Sequence, residues 1–177
     1  MTSWEYQSKD GRLIAVRTAV RDDAPDFHAG FKDVVEEHMW FPTFTPNSHV
    51  SDWAHWIERT NSNREILLVA HIDGEYVGHL SLQPEEWQAS QHVAKLGIIV
   101  RKESRGIGIG KALMLSGHAI ASEKGYSKIV LNTFANNKIA IQLYESLGYR
   151  TVGVRKKHFN MPKGFIDEVL MEKELID

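Results

Sequence analysis

The chain has no cysteine among its 177 residues. Disulfides, thiolate nucleophiles and cysteine-ligated metal centres are therefore excluded, as a reducing compartment would permit. An excess of charge of either sign is also lacking. Lys and Arg total 21 against 23 Asp and Glu, a net charge of −2, so no global field recruits nucleic acid or a membrane. No apolar run approaches the roughly 20 residues of a membrane span. Met1-Thr2-Ser3-Trp4-Glu5 lacks the basic-then-apolar pattern of a secretory leader. The expectation is a cytoplasmic protein with neither nucleic acid nor membrane as a partner. The nine histidines fall in no compact ligand spacing, so no metal is expected. No G-x-S-x-G elbow suggests a serine hydrolase. Arg155-Lys156-Lys157 is a local basic cluster, read as a solvated strand end.

Hydrophobic residues make up 42% and charged residues 25%, the balance of an ordinary globular chain. At this length one domain covering residues 1–177 is expected. Lys9-Asp10-Gly11 is a turn signal between two short strand-like runs. Asp22-Asp23-Ala24-Pro25 starts a helix, with Phe27, Phe31, Val34, Val35 and Met39 at helical spacing. Asn47-Ser48 can cap a second helix bearing Val50, Trp53 and Ile57, ended by Asn61-Ser62-Asn63. Glu65 to His71 reads as a strand, Asp73-Gly74 as a hairpin turn, and Tyr76 to Leu82 as the return strand. A further strand runs from Val93 to Val100.

The most informative stretch follows it: Arg105-Gly106-Ile107-Gly108-Ile109-Gly110-Lys111. It lies between that strand and the apolar-periodic run Ile109, Ala112, Leu113, Ile120, which stops at Lys124-Gly125. Strand, glycine turn and helix start together form a phosphate seat, because the first helical N–H groups lack internal partners. Arg105 and Lys111 would add positive charge. A Walker A loop is a poor match: Arg105 stands at its first glycine and Ala112 replaces the magnesium-binding hydroxyl. A Rossmann fingerprint fails where Lys111 takes the place of its third glycine. Downstream come a strand, Ser127 to Thr133, and a helix, Asn137 to Leu147. Two last strands, Thr151 to His158 and Phe165 to Met171, flank Pro162-Lys163-Gly164.

Arg105, Gly108 and Gly110 satisfy the pattern Arg/Gln-x-x-Gly-x-Gly/Ala. Asn137, Ala140, Tyr144, Gly148 and Tyr149 satisfy N-x-x-A-x-x-x-Y-x-x-x-G-[FY]. From about Leu96 to Tyr149 the chain thus resembles the GNAT superfamily of N-acetyltransferases. The resemblance implies an α/β (α+β) fold with a mixed central sheet, splayed into a V-shaped cleft, and helices on both faces. It implies acetyl-CoA as cosubstrate and a primary amine as acceptor, attacking directly through a tetrahedral intermediate. The diphosphate would lie on Arg105, Gly106, Ile107, Gly108, Ile109, Gly110 and Lys111. The backbone of Ile98, Ile99 and Val100 would pair with pantetheine, and Asn137 would touch its arm as well as cap the helix. Tyr144 would be the general acid at the departing sulfur, with a packed core aromatic as the plainer role.

The base is less defined. Family members often use a glutamate on the strand before the loop, where this chain has Lys95. Glu85, Glu86 and His92 are the alternatives, and His92 has the more suitable ordinary pKa. Between the first two helices, His38-Met39-Trp40-Phe41-Pro42-Thr43-Phe44 offers either aromatic walls for an amine cation beside Glu36 and Glu37, or an apolar staple. A small-molecule amine is the preferred acceptor, with a peptide α-amine second. A CoA-binding module without catalysis and a nucleotide-binding protein remain as rivals. A homodimer is common in the superfamily, and oligomeric state is otherwise open.

Overall fold

The computed structural model describes residues 2–60 and 64–175. A hairpin of β1 (Ser3–Gln7) and β2 (Leu13–Thr18) precedes α1 (Ala24–Glu36) and α2 (Val50–Thr60). Then come β3 (Ile66–Ile72), β4 (Glu75–Pro84), β5 (Val93–Val100), α3 (Ile109–Glu123), β6 (Lys128–Phe134), α4 (Lys138–Ser146), β7 (Arg150–Met161) and β8 (Gly164–Glu174). The strands form one eight-stranded sheet in the order β1-β2-β3-β4-β5-β6-β8-β7.

Local chemistry explains these boundaries. Asp23 anchors the start of α1: its carboxylate accepts the Val20 N–H and both arms of the Arg17 fork, each at 2.7 Å. The apolar spacing predicts a helix reaching Met39, but α1 stops at Glu36. His38 adopts φ 50°, which breaks the hydrogen-bond ladder and leaves Met39 44% exposed. The Asn61-Ser62-Asn63 stop expected for α2 lies outside the described residues. Asp73 and Gly74, at φ 53° and 83°, make the tight turn joining β3 to β4. The last hairpin is longer than expected. β7 runs on through a register shift between Arg155 and Phe159 to Met161, and Lys157 within it has φ 51°.

Alternation along the strands sorts side chains onto two faces. Leu68, Ala70, Leu80, Leu82, Ala94, Leu96, Ile129, Leu131 and Met171 meet Ile109, Leu113 and Met114 of α3 and Tyr144 of α4 in the larger core. Leu67, Val69 and Tyr76 meet Phe27 of α1 and Ala54 and Ile57 of α2 in the smaller one. Helices thus cover both faces, as expected.

β5 and β6 are the parallel neighbours, paired only through Val93, Ala94 and Lys95 with Lys128, Ile129 and Val130. Beyond Lys95 and Val130 the two strands separate. β4 still pairs with β5 as far as Val100, and β8 with β6 as far as Phe134. A V-shaped cleft therefore opens between Leu96–Val100 and Leu131–Phe134.

Candidate active site

The glycine loop closes the wide end of this cleft. Gly106 and Gly108 have φ 82° and 109°, and a Cβ on either would meet nothing within 4 Å. The loop's conformation needs glycine, and its surface is open to a ligand. The first helical bond of α3 runs from the Ala112 N–H to the Gly108 carbonyl. Among the described residues, no backbone or side-chain acceptor takes the N–H groups of Gly106 through Lys111. Partnerless N–H groups at the positive end of a helix are what an anionic diphosphate requires.

The cations of the loop divide. Lys111 is exposed in the first turn of α3. Arg105 is engaged: its Nε donates to the Val100 carbonyl at 3.0 Å, and its fork grips Glu37 at 2.8 and 2.5 Å. Arg101 binds Asp33 at 3.0 Å. Asp33 and Glu37 stand one turn apart on α1 and just past its end, so two ion pairs clamp that helix to the loop. Glu37 also accepts the Trp40 indole N–H at 3.2 Å, and Glu36 pairs with Lys32 at 3.8 Å, so both acids already have internal partners. Phe41 packs edge-on against Phe31, 5.3 Å between centroids, as an apolar staple would.

Tyr144 sits on α4, 6% exposed, where Leu131 and Met171 line the same core. Its ring lies 5.9 Å from that of Tyr149. Tyr149 shares a hydrogen bond with His118 at 2.9 Å, whereas no described residue bonds the Tyr144 phenol. Burial pushes the Tyr144 pKa up to about 12, so the phenol keeps its proton at neutral pH. Asn137 caps α4, its side chain accepting the Ala140 N–H at 3.3 Å, at the cleft end of β6.

The base candidates fare differently. His92 directly precedes β5 at the end where β5 and β6 are still paired. Six steps along the chain, about 20 Å at ~3.3 Å per residue, separate it from Ile98. Glu85 joins it there, its N–H bonded to the Val93 carbonyl at 3.0 Å, with Glu86 next to it. All three therefore stand by the paired end of β5 rather than along its unpaired stretch.

Two buried polar groups on the other face of the sheet carry no sequence motif. His79 of β4, 4% exposed, stacks on Phe27 at 4.1 Å and is hydrogen-bonded through Nδ1 to the Tyr76 hydroxyl at 2.6 Å. Burial drives its pKa down to about 3. Glu168 of β8, 2% exposed, is held by Asn132, Arg155 and His158. His79 could have been noticed as a titratable residue within the mostly apolar run of β4, whereas Glu168 shares β8 with Asp167, Glu172, Lys173 and Glu174 and has no such signal. The fold also gathers Asp23, Asp26 and His71, whose ligand atoms lie within 4.8 Å of one another. Arg17 already occupies both oxygens of Asp23.

Residues 31–149 match the family model described as Acetyltransferase (GNAT) family. The chain belongs to the GNAT acetyltransferase family. It is accordingly an acetyl-CoA-dependent N-acetyltransferase by membership, and its acceptor is a separate matter. The chain is 32% identical to the L-amino acid N-acetyltransferase AaaT of Escherichia coli over 127 residues, 71% of this chain and 78% of that protein. It is 35% identical to human N-acetylaspartate synthetase over 94 residues, 53% of this chain but only 30% of that protein. Among solved structures, ribosomal-protein-alanine N-acetyltransferase from Brucella melitensis superposes with a TM-score of 0.84 at 26% identity, covering 90% of this chain and 98% of that one. The yncA protein of Salmonella typhimurium, solved with its cofactor acetyl-CoA, shares the fold with a TM-score of 0.87 at 17% identity, over 93% and 95% of the two chains.

Proposed function

We propose that this GNAT protein moves the acetyl group of acetyl-CoA onto the primary amine of a small molecule. The observation that carries this reading is the run of N–H groups from Gly106 to Lys111 that no described residue accepts, beside a cleft whose β6 wall shares a core with the protonated Tyr144 phenol. Acetyl-CoA supplies an acyl group already activated as a thioester.

The residues have distinct tasks in this scheme. The amides of Gly106 to Lys111 bind the diphosphate, with Lys111 adding charge. Arg105 contributes backbone and keeps the loop folded on α1. The cleft edge of Ile98, Ile99 and Val100, unpaired with β6, offers strand-like hydrogen bonds to pantetheine and an N–H to the carbonyl oxygen that gains charge. Asn137 steadies α4 and faces the same arm. A new C–N bond forms as the C–S bond breaks, and Tyr144 gives its proton to the departing sulfur. The proton lost by the attacking ammonium leaves through water, because β5 carries Lys95 where a carboxylate base would stand.

A peptide α-amine is the second reading, favoured by the likeness to the ribosomal-protein-alanine enzyme. A thiol assay for released CoA, run with amino acids, polyamines, aminoglycosides and short peptides, separates the readings. Release with a small amine is the expected result. Release with peptides alone would favour the second reading. Tight acetyl-CoA binding without release on any amine would identify a non-catalytic module.

A further inference from the structure

The acceptor's chemistry can be read from the face of the sheet opposite Tyr144. Lys95 is paired with Val130, so Val130, Asn132 and Phe134 of β6 share a face with Lys95, Gly97 and Ile99 of β5. Ile99 in turn lies opposite His79, which stacks on α1. Tyr144 packs on the other face, among Leu131 and Met171. The cleft therefore has an acid side, lined from α4, and an opposite side from which an amine can approach.

On that approach side stands the Glu168 cluster. Glu168 lies opposite Phe134 of β6 and Arg155 of β7, so these three residues also share the face. One carboxylate oxygen accepts from Asn132, on the cleft wall. The other accepts from Arg155 Nη1 at 2.7 Å and lies 3.3 Å from His158 Nε2. Both oxygens are thus occupied by side-chain partners from β6 and β7. A carboxylate buried to 2% exposure is costly unless such partners hold it. Its physical work is to fix the guanidinium of Arg155. The β7 bulge that delivers His158 is itself pinned, since Asp167 accepts the Lys157 N–H at 2.7 Å and Lys156 Nζ at 2.9 Å.

Arg155 spends one donor on Glu168, and its side chain is 55% exposed. Its register puts it on the amine's approach side of the sheet, tied to a buried anchor. A guanidinium of this kind matches a carboxylate in a bidentate geometry that a lysine cannot reproduce. Exposed Lys95 on β5 adds positive potential on the same face.

We propose that the acceptor is an amino acid, bound with its carboxylate on Arg155 and its amine in the cleft. Arg155 is the specificity residue, and Glu168, Asn132 and His158 position it. The proposal rests on the acetyl-transfer reading above and goes against the peptide alternative, because an internal peptide link leaves no carboxylate beside the α-amine.

The test uses the full chain, the twenty L-amino acids and the C-terminal amide of each. Binding is measured by calorimetry with the protein saturated in CoA, and kcat and KM by CoA release. Aspartate α-amide and asparagine separate an α-carboxylate contact from a side-chain one. At least one amino acid is expected to beat its amide by about 10-fold or more in both assays, the scale of one charged hydrogen-bond pair. Arg155→Met is expected to bring that ratio to about 1, acting through KM, and Arg155→Lys to restore part of it. Retained acetyl-CoA binding shows that each variant folds. Should Arg155→Met fail to fold, Arg155→Lys and Glu168→Gln must still shift the ratio. Equal use of acid and amide by the wild type, or a variant that keeps the ratio, overturns the clamp. Turnover of peptides or polyamines alone overturns it while leaving acetyl transfer intact. Absence of acetyl-CoA binding overturns the underlying reading instead.

Discussion

At the scale of single residues, the decisive contrast is between Tyr144 and Tyr149. Both phenols lie in one core and burial raises both pKa values. Tyr149 is tied to His118, whereas no described residue bonds Tyr144, which shares its core with Leu131 of β6. The proposed general acid needs a proton that is present and not committed elsewhere, a demand that Tyr144 meets better than Tyr149. Replacing it with Phe keeps the ring packing and removes the proton. Tyr144→Phe is expected to lower kcat by about 10²-fold, the lower range for general acid catalysis, with the KM for acetyl-CoA nearly constant. Stopped-time CoA release against the best amine measures both. Undiminished turnover would assign the sulfur's proton to water. As a candidate this residue was legible in the sequence, because its motif fixes it relative to Asn137 and Gly148. The surroundings of Glu168 and His79 were not, because Asn132 of β6 and Phe27 of α1 reach them only once the sheet and its helices have assembled.

At the scale of elements, the ordering of the glycine loop depends on α1. The sequence showed a strand, a loop and a helix in the right order, and the structure has them at nearly the expected bounds. It could not show that Arg105 and Arg101 would find Glu37 and Asp33, because that contact crosses 68 residues of chain. Local patterns register spacing along an element, and tertiary ion pairs leave no periodic trace. The same limit explains why α1 read as continuing to Met39: the apolar stripe persists in sequence while a left-handed residue at His38 ends the helix. The clamp yields a prediction. The Arg105 guanidinium holds the Glu37 carboxyl below its ordinary pKa of 4.5, so the pair's stabilisation is present above that pH and fades as pH falls through the lowered value. Glu37→Gln, at a side chain only 15% exposed, is expected to cost about 1–3 kcal/mol by urea unfolding at pH 7. Acetyl-CoA affinity by calorimetry should fall with it, as the loop loses its brace. Tighter binding in the variant would show instead that Glu37 competes with the diphosphate for Arg105.

At the scale of the whole molecule, the two cores each enclose or border a histidine that folding keeps neutral. His79 lies in the face under α1, and burial holds its pKa at about 3. His118 lies on α3 beside Tyr149, where burial and then Lys173 bring its pKa down to about 4. In the unfolded chain both return to about 6.5. Above that pH neither state binds the protons and no stability depends on them. As pH falls below 6.5 the unfolded chain takes up protons that the folded protein refuses, until about 4 for His118 and 3 for His79. Stability must therefore decline across that window, on the order of 1–2 kcal/mol per pH unit, allowing for the partial exposure of His118. Urea unfolding followed at pH 7, 6 and 5 should show this slope before most carboxylates begin to titrate. His79→Asn retains an acceptor near the Tyr76 hydroxyl but cannot take up the proton. It should flatten the curve by about one proton's worth, roughly 1.4 kcal/mol per pH unit, although it creates a small void against Phe27. A wild-type curve level between pH 7 and 5 would mean that His79 is protonated within the fold. Its stacking on Phe27, the shared hydrogen bond with Tyr76 and the apolar character of that core would then all need a different account.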